Sequence, residues 1–476
     1  MRTLSSVTPS PEQLKILGDT RAGFRIIRGA AGSGKTTTAL LRLRGQIRAR
    51  LNRRERHGHN APIRVLVLTF NRTLEGYIAE LARNETPDDD ALELAISTFG
   101  RWARSLVGDV NIAGGDRASA LLRPHLQAFA TSKQHEFLVD EVQYVLGRFE
   151  YDTCDFEPES LAEYLTVIRE GRGSAPRIAH PTRTNLINEV IPAYMQAKRD
   201  KGEIDWSDLA ILAANAEPDL LYDVVIVDEA QDFSANQVRA ILHHLQDSHN
   251  TTFVLDAVQR IYPQFFKWSE VGINARPEII YRLKENYRNT AAIAAFAHPL
   301  VESLPAEDDG TLPDFSACHR KGSKPIMIAG KYSEQLKVMF DTLEAVADLN
   351  EESVALLQPR GGGWFDEARK TLSRRQIPYC ELTRKNEWPT GPEQVALCTI
   401  HSAKGLEFDH VLLPGLSQQV TPHGPEDGDA DLERLRRMLA MAVGRARKSV
   451  MIGYKPGEES SLIGLFAPST YEVIRP

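Results

Sequence analysis

The chain has 476 residues, 42% of them hydrophobic and 25% charged, enough for roughly three domains with ample core. Nothing in Met1–Arg25 reads as a signal peptide and no later run is long enough to cross a bilayer, so no membrane partner is expected and the cytoplasm is the default. The net charge of −7 does not exclude a nucleic-acid partner, because it averages over surfaces that need not face the ligand.

In chain order, the apolar segment Phe24–Ile27 reads as a strand, and Gly29-Ala30-Ala31-Gly32-Ser33-Gly34-Lys35-Thr36 follows before a run of helix formers beginning at Thr37. This spacing is a complete P-loop. Its glycines let backbone N–H groups turn around a phosphate, and the helix behind them aims its positive end at the same place. Lys35 is expected to reach the β and γ phosphates, and the Thr36 hydroxyl to hold Mg²⁺. The candidate phosphate-binding set is therefore Gly29, Gly32, Ser33, Gly34, Lys35, Thr36 and Thr37. The arginines between Arg42 and Arg56 read as a solvated helix face before a nucleic-acid track.

Strand-like runs recur at Val65–Thr69, Tyr222–Asp228 and Thr252–Asp256, alternating with helical stretches. Val224, Val225, Ile226 and Val227 suit a strand covered on both faces. From about Trp102 to Lys201 strand signals thin out, and Leu161–Arg169 and Leu186–Lys198 read as amphipathic helices of an insertion. A second series follows Arg282: Ile326–Ala329, Val354–Leu357, Val395–Ile400, Val411–Leu413 and Val450–Ile452. Two tandem α/β layers are the economical architecture. Cys154, Cys318, Cys380 and Cys398 are scattered singly, which argues against a disulfide framework or zinc site and leaves buried thiols.

The chemistry past the P-loop begins at Asp228-Glu229-Ala230-Gln231-Asp232, which puts two carboxylates at the carboxyl edge of a sheet. Asp228 is placed to hold Mg²⁺ through water, and Glu229 to orient and deprotonate an attacking water. Coupled to the P-loop, this reads as hydrolysis of a nucleoside triphosphate.

With these parts in place the chain resembles the superfamily 1 helicases of the UvrD/Rep/PcrA group through most of both α/β units. Pro11-Glu12-Gln13 is similar to the Q motif, which implies that Gln13 reads adenine. Thr69-Phe70-Asn71 resembles motif Ia and Ser97-Thr98-Phe99 motif Ib, implying that Phe70, Asn71, Thr98 and Phe99 meet single-stranded DNA; Gly100 stands where the family usually has His or Ser. Ile204–Leu209 resembles the approach to motif II and is assigned no chemistry. Leu255–Tyr262 resembles motif III, implying that Gln259 senses the γ-phosphate, while the stacking ring is left open among Tyr262, Phe265, Phe266 and Trp268. Leu283–Thr290 resembles motif IV, with Tyr287 on adenine and Arg288 on the γ-phosphate. Thr399–Phe408 resembles motif V, with Thr399 and His401 on the nucleic-acid backbone and Glu407 on the ribose. Val443–Arg447 resembles motif VI, with Arg445 the second γ-phosphate arginine and Gly444 in place of the usual Thr.

The resemblance implies an α/β fold of two tandem RecA-like P-loop domains with a helical insertion domain. Domain 1A would be residues 1–100 and 202–282, 1B residues 101–201 and 2A residues 283–476. Only Cys380–Gln394 lies where larger members insert domain 2B, so 2B is expected to be absent, and no room is read for an appended nuclease domain or zinc finger. The implied activity is an ATP hydrolase, with Mg²⁺, that moves 3′→5′ along single-stranded DNA or opens a single/double-strand junction; Lys35, Glu229, Gln259, Arg288 and Arg445 would carry the reaction. A nucleotide-switched DNA-sensing subunit that licenses a separately encoded nuclease or a repair or defence partner is the alternative, and an RNA translocase a third.

Overall fold

The computed structural model describes residues 9–29, 32–58, 61–70, 75–79, 89–127, 132–167, 178–218, 220–255, 266–284, 286–302, 304, 318–382, 388–389, 391–424 and 429–476. Strands β1 (Gly23–Gly29), β2 (Ile63–Thr69), β3 (Leu92–Thr98), β4 (Tyr222–Val227), β5 (Leu245–Leu255) and β6 (Ile280–Leu283) form one sheet in the order β3-β2-β4-β5-β1-β6. Every pairing in it is parallel. A parallel sheet needs cover on both faces, and the alternating side chains supply two apolar surfaces. Ile27, Val65, Val67, Val224 and Ile226 pack with Leu40, Leu43 and Ile47 of the helix Lys35–His57. Ile26, Leu66, Leu68, Val225 and Val227 pack with the helices Phe99–Val107, Trp206–Asn215 and Ala235–His243 on the other side.

A short parallel ladder joins β7 (Asn286–Thr290) to β8 (Cys318–Arg320). The second large sheet holds β9 (Ile326–Ala329), β10 (Val354–Gln358), β11 (Tyr379–Glu381), β12 (Val395–Thr399), β13 (Phe408–Leu413), β14 (Ala446–Tyr454) and β15 (Glu472–Ile474), in the order β11-β12-β10-β13-β14-β9-β15. All its pairs are parallel. The helices Tyr332–Val346 and Asp366–Arg374 cover one face, and Ala291–Val301 and Ala430–Val443 the other. The fold is thus the expected pair of tandem α/β layers.

The helical segment inserted in the first layer between β3 and β4 has its own core, including Leu122, Val142, Tyr144, Leu161, Leu186 and Ile191. Its neck is narrow: Ile112 and Ile204 form an isolated parallel bridge, with Ala113 N–H donating to Ile204 O at 2.8 Å and Ile204 N–H to Asn111 O at 2.9 Å. Past the neck a buried ionic knot secures the return. Lys198 Nζ donates to Asp205 at 2.8 Å and also to Asp208, while Tyr194 and Tyr151 donate to Asp205 and Asp208 at 2.8 and 3.0 Å.

Several expectations are corrected. Within Leu161–Arg169, Leu161–Leu165 belongs to a 3₁₀ segment, Pro158–Leu165, which ends at Thr166. Leu186–Lys198 opens with a π turn, Leu186–Val190, before the α-helix Ile191–Arg199, because Pro192 has no N–H to continue the ladder. The arginine run is not uniformly solvated: Arg48, Arg53 and Arg56 are exposed, but Arg42 is buried, donating to Ile16 O at 2.8 Å and to Asp19 O. Of the four free thiols, Cys398 is buried and Cys154 exposed. Gly444 is not inside a helix; it ends one, its N–H donating to Ala440 O at 2.9 Å. Among the described residues no helix is long and apolar enough to cross a membrane.

Candidate active site and nucleic-acid face

The loop after β1 delivers the helix Lys35–His57 with Gly34 at its N-cap in the left-handed region, φ 75°, and no side-chain cap. Among the described residues no side chain caps that helix, which leaves its N-terminus suited to an anion. Gly32 also has positive φ, 84°, and a methyl group there would lie 2.8 Å from Cβ of Arg288 and strike the Asn286 amide. The loop and the β7 segment are in direct contact. Gln13 lies buried against the loop, its Nε2 3.5 Å from Ser33 O, but its Oε1 accepts from Ser10 N–H at 2.8 Å in a capping box. Pairing with an adenine edge requires that bond to open.

At the end of β4 the acidic pair comes alongside. The Thr36 hydroxyl donates to Asp228 at 3.0 Å, and Lys35 Nζ to Gly29 O at 2.8 Å. Burial, then the neighbouring Glu229 charge, push the Asp228 carboxyl up to about 7. Two hard oxygen donors face each other, one of them a carboxylate that a cation would relieve, so Thr36 and Asp228 fit Mg²⁺, which takes few protein ligands and completes its shell with water and phosphate. Among the described residues no group of three or more His, Cys, Asp or Glu side chains offers an alternative metal site.

Glu229 has a left-handed backbone, φ 53°, uncommon for a side chain with a Cβ and a form of strain that gathers at functional sites. Burial raises its pKa, but the charges of Lys404, Arg445 and Lys35 and a hydrogen bond from Gln231 outweigh burial and hold it below the usual value. Two of those cations come from the second sheet. Lys404, on the turn after β12, sets its Nζ 2.5 Å from Asp232 Oδ2 and 3.9 Å from Glu229 Oε2. Arg445 is buried and donates to Leu406 O at 3.3 Å. Arg288 is ion-paired to Glu407, and its buried Nε and Nη1 have no hydrogen-bond partner among the described residues. Burial raises Glu407, but Arg288 and then Arg447 and Arg445 hold it below its ordinary range.

The structure thus places Gly29, Gly32, Ser33, Gly34, Lys35, Thr36 and Thr37 at and after the carboxyl end of β1 and Asp228 and Glu229 after that of β4, and brings to them Arg288 of β7, with Glu407 and Arg445 immediately before β13 and β14. Gln259, Asn71, Tyr262 and Phe265 lie outside the described residues, as does the side chain of Tyr287.

The nucleic-acid candidates separate. Thr98 is the N-cap of the helix Phe99–Val107, accepting from Arg101 N–H. Phe99 is a correction: it is 4% exposed and packs edge-on against Trp102 and Phe233, with centroids 5.6 and 6.1 Å away, so it is core and cannot stack on a base. Phe70 is half-buried against Phe233. His401 is exposed, and the Thr399 hydroxyl donates to Ser402 Oγ at 2.9 Å, closing the turn that presents it.

Two residues were missed from sequence. Trp206 is 43% exposed, and its ring occupies the space over Gly100, where a methyl group would lie 2.7 Å from Cζ3. The signal was the pairing of a glycine at the motif Ib position with an aromatic in the segment given no chemistry. Lys404 carried no signal apart from its place in motif V, because its partner Asp232 is 172 residues away.

The chain is similar to known proteins over most of its length. The UvrD/REP helicase N-terminal domain matches residues 10–287 and the UvrD-like helicase C-terminal domain residues 381–456. The ATP-dependent DNA helicase UvrD2 of Mycobacterium tuberculosis is 22% identical over 567 aligned positions, covering 90% of this chain and 76% of that protein. An ATP-dependent helicase/nuclease subunit of Lactococcus lactis is 29% identical over 282 residues, 54% of this chain and 22% of that protein. DNA helicase II of Rickettsia typhi is 44% identical over 61 residues, 12% of this chain and 9% of that protein. The match to the helicase/nuclease protein thus spans about a fifth of that relative's length.

Proposed function

We propose that this chain, which belongs to the UvrD/REP helicase family, is an ATP-dependent translocase or helicase that moves 3′→5′ on single-stranded DNA in the cytoplasm. One observation carries the reading: Lys404, on the turn after β12 of the second sheet, sets its Nζ 3.9 Å from Oε2 of Glu229 after β4 of the first. A reaction site built from both layers makes hydrolysis depend on how they meet, which couples nucleotide state to their closure.

Lys35 and the open helix N-terminus would bind the phosphates, with Thr36 and Asp228 holding Mg²⁺, which supplies charge neutralisation on the β and γ oxygens. Glu229, kept anionic, accepts the proton of the attacking water as its oxygen bonds to the γ-phosphorus and the bridging oxygen leaves with ADP. Arg288 has two donors to spare for the equatorial oxygens and Arg445 adds its charge, the role for which a delocalised guanidinium is suited. Freed from Arg288, Glu407 would accept from the ribose. On the nucleic-acid side His401, Thr399 and Phe70 remain candidates, and Trp206 is the exposed ring best placed for stacking.

A second reading rests on the match to the Lactococcus lactis helicase/nuclease protein: a DNA-sensing ATPase that licenses a nuclease and unwinds little by itself. ATPase rates with single-stranded DNA, duplex DNA and RNA, beside strand displacement in both polarities, decide between them. Unwinding by the purified chain favours the first, DNA-stimulated hydrolysis without unwinding the second, and equal stimulation by RNA neither. Glu229→Gln should retain ATP and lose turnover; normal hydrolysis by this variant would remove Glu229 from its role.

A further inference from the structure

We propose that Arg434 contacts a phosphate of the bound strand, and that its ion pair with Asp140 is a latch which the strand displaces; this deepens the reading above and rests on it. The pair joins units that belong to different layers. Arg434 lies near the start of the helix Ala430–Val443, which Leu435, Met438 and Leu439 seat on the second layer. Asp140 lies on the helix Ser132–Arg148 of the insertion, whose end is fastened to the first layer. There Asn236 Nδ2 donates to Leu146 O and Phe149 O at 2.9 and 2.8 Å, and Arg148 donates to Glu270 at 2.8 Å. Across the gap between insertion and second layer, Arg434 Nη1 stands 3.8 Å from Asp140 Oδ2.

Such a pair opens at little cost. The Arg434 and Asp140 side chains are 48% and 36% exposed, and water screens an ion pair at the surface. Asp431, one turn back on the same helix, shares the guanidinium at 2.8 Å. A phosphodiester offers the guanidinium two oxygens that match its planar fork, and the release of counterions from the strand favours the exchange. The neighbouring groups leave this task to Arg434. Partial burial, then the charges of Arg434 and Lys404, push the imidazole of His401 down to about 4, so at neutral pH His401 meets a strand as an uncharged group. Lys404 is turned into the first layer, 2.5 Å from Asp232, and Arg436 is committed to Leu300 O at 2.9 Å. A strand lying along the His401 turn therefore meets in Arg434 a cation whose carboxylate partners are at the surface and exchangeable.

The test titrates the full-length chain and its Arg434→Ala, Arg434→Gln and Asp140→Asn variants with labelled oligo-dT by fluorescence anisotropy, between about 50 and 200 mM salt, with thermal melting beside it. Arg434→Ala should weaken binding about tenfold, the loss expected when a charged hydrogen bond is removed. It should also lower the slope of log affinity against log salt by about 0.7, the share of one phosphate on a single strand. Asp140→Asn should act in the opposite direction and tighten binding about two- to fivefold, because the exposed pair no longer competes. The variants should melt near the wild type, as surface substitutions do; if Arg434→Ala does not fold, Arg434→Gln, which keeps most of the stem, supplies the same readout. Arg434 variants that bind within about twofold of the wild type, or with its salt slope, overturn the inference. So does an Asp140→Asn variant that binds no more tightly than the wild type, the result expected of a pair that only braces the fold. A wild type that does not bind oligo-dT overturns the underlying reading instead, and the inference with it.

Discussion

Phe99 and Trp206 lie at the same end of the first sheet and make opposite predictions. Phe99→Ala removes a ring that is 4% exposed and flanked by Trp102 and Phe233. A buried Phe→Ala change costs ~3–5 kcal/mol, and with two other aromatics already seated against the site the cavity has little means to collapse, which points to the upper half of that range. Trp206→Ala removes a ring that is 43% exposed and rests over Gly100, so its effect on stability should stay within ~1 kcal/mol. On single-stranded DNA the order should reverse. Trp206→Ala should weaken binding by ~1–3 kcal/mol, the usual worth of one base stack, and Phe99→Ala, measured where it remains folded, by much less. Urea unfolding together with fluorescence-anisotropy titration of labelled oligo-dT gives both quantities for both variants. The assignment of Phe99 to the core would be refuted by a Phe99→Ala protein that melts like the wild type and binds DNA tenfold more weakly.

Arg288→Ala should cut turnover far more than nucleotide affinity if its two nitrogens without a hydrogen-bond partner among the described residues serve charge that grows during transfer; equal losses in single-turnover and binding assays would make it a binding residue. Gly32→Ala should abolish nucleotide binding, because positive φ and contact with Asn286 and Arg288 leave no place for a methyl group; an alanine variant with wild-type affinity for the ATP analogue would contradict the loop geometry. Asp19 is buried, and although burial raises its pKa, hydrogen bonds from Arg21, Arg25 and Tyr281 bring it well below the usual range. A depressed carboxylate contributes stability above its unfolded value near ~4 and loses it as pH falls towards the folded one. Acidification below about pH 4 should therefore destabilise the wild type more steeply than Asp19→Asn, which at pH 7 should be ~3–5 kcal/mol less stable for leaving Arg25 buried without its anion; superimposable pH profiles would dismiss the idea. DNA affinity should fall steeply between about 50 and 200 mM salt, and a flat dependence would argue against backbone contacts.

What the sequence made legible was whatever is written locally. The P-loop, the β-branched run Val224–Val227 and the acidic pair behind it each declare themselves within a few residues, and the strands they predict are β1 and β4. Periodicity also announced the second layer. It could not distinguish α from 3₁₀ or π at Pro158–Leu165 and Leu186–Val190, where the choice depends on tertiary packing and on Pro192. It could not tell that one arginine of a basic helix is core and its neighbours are not, because Arg42 is held by carbonyls of the preceding segment, including Ile16 O. Nor could it pair Lys404 with Asp232 or seat Trp206 on Gly100, since both depend on where distant elements come to rest.

The neck at Ile112 and Ile204 has a consequence for how such a chain can be rebuilt. Because about ninety residues leave and return through one bridged pair, a tight turn could close the same gap, gaining about 2–3 kcal/mol in closure entropy while giving up the bonds that Leu146, Arg148, Phe149 and Tyr151 make to Asn236, Glu270 and Asp208. The helical segment is thus a natural graft site, where a shortened or foreign module could be spliced in without redrawing the β-strand order beneath it.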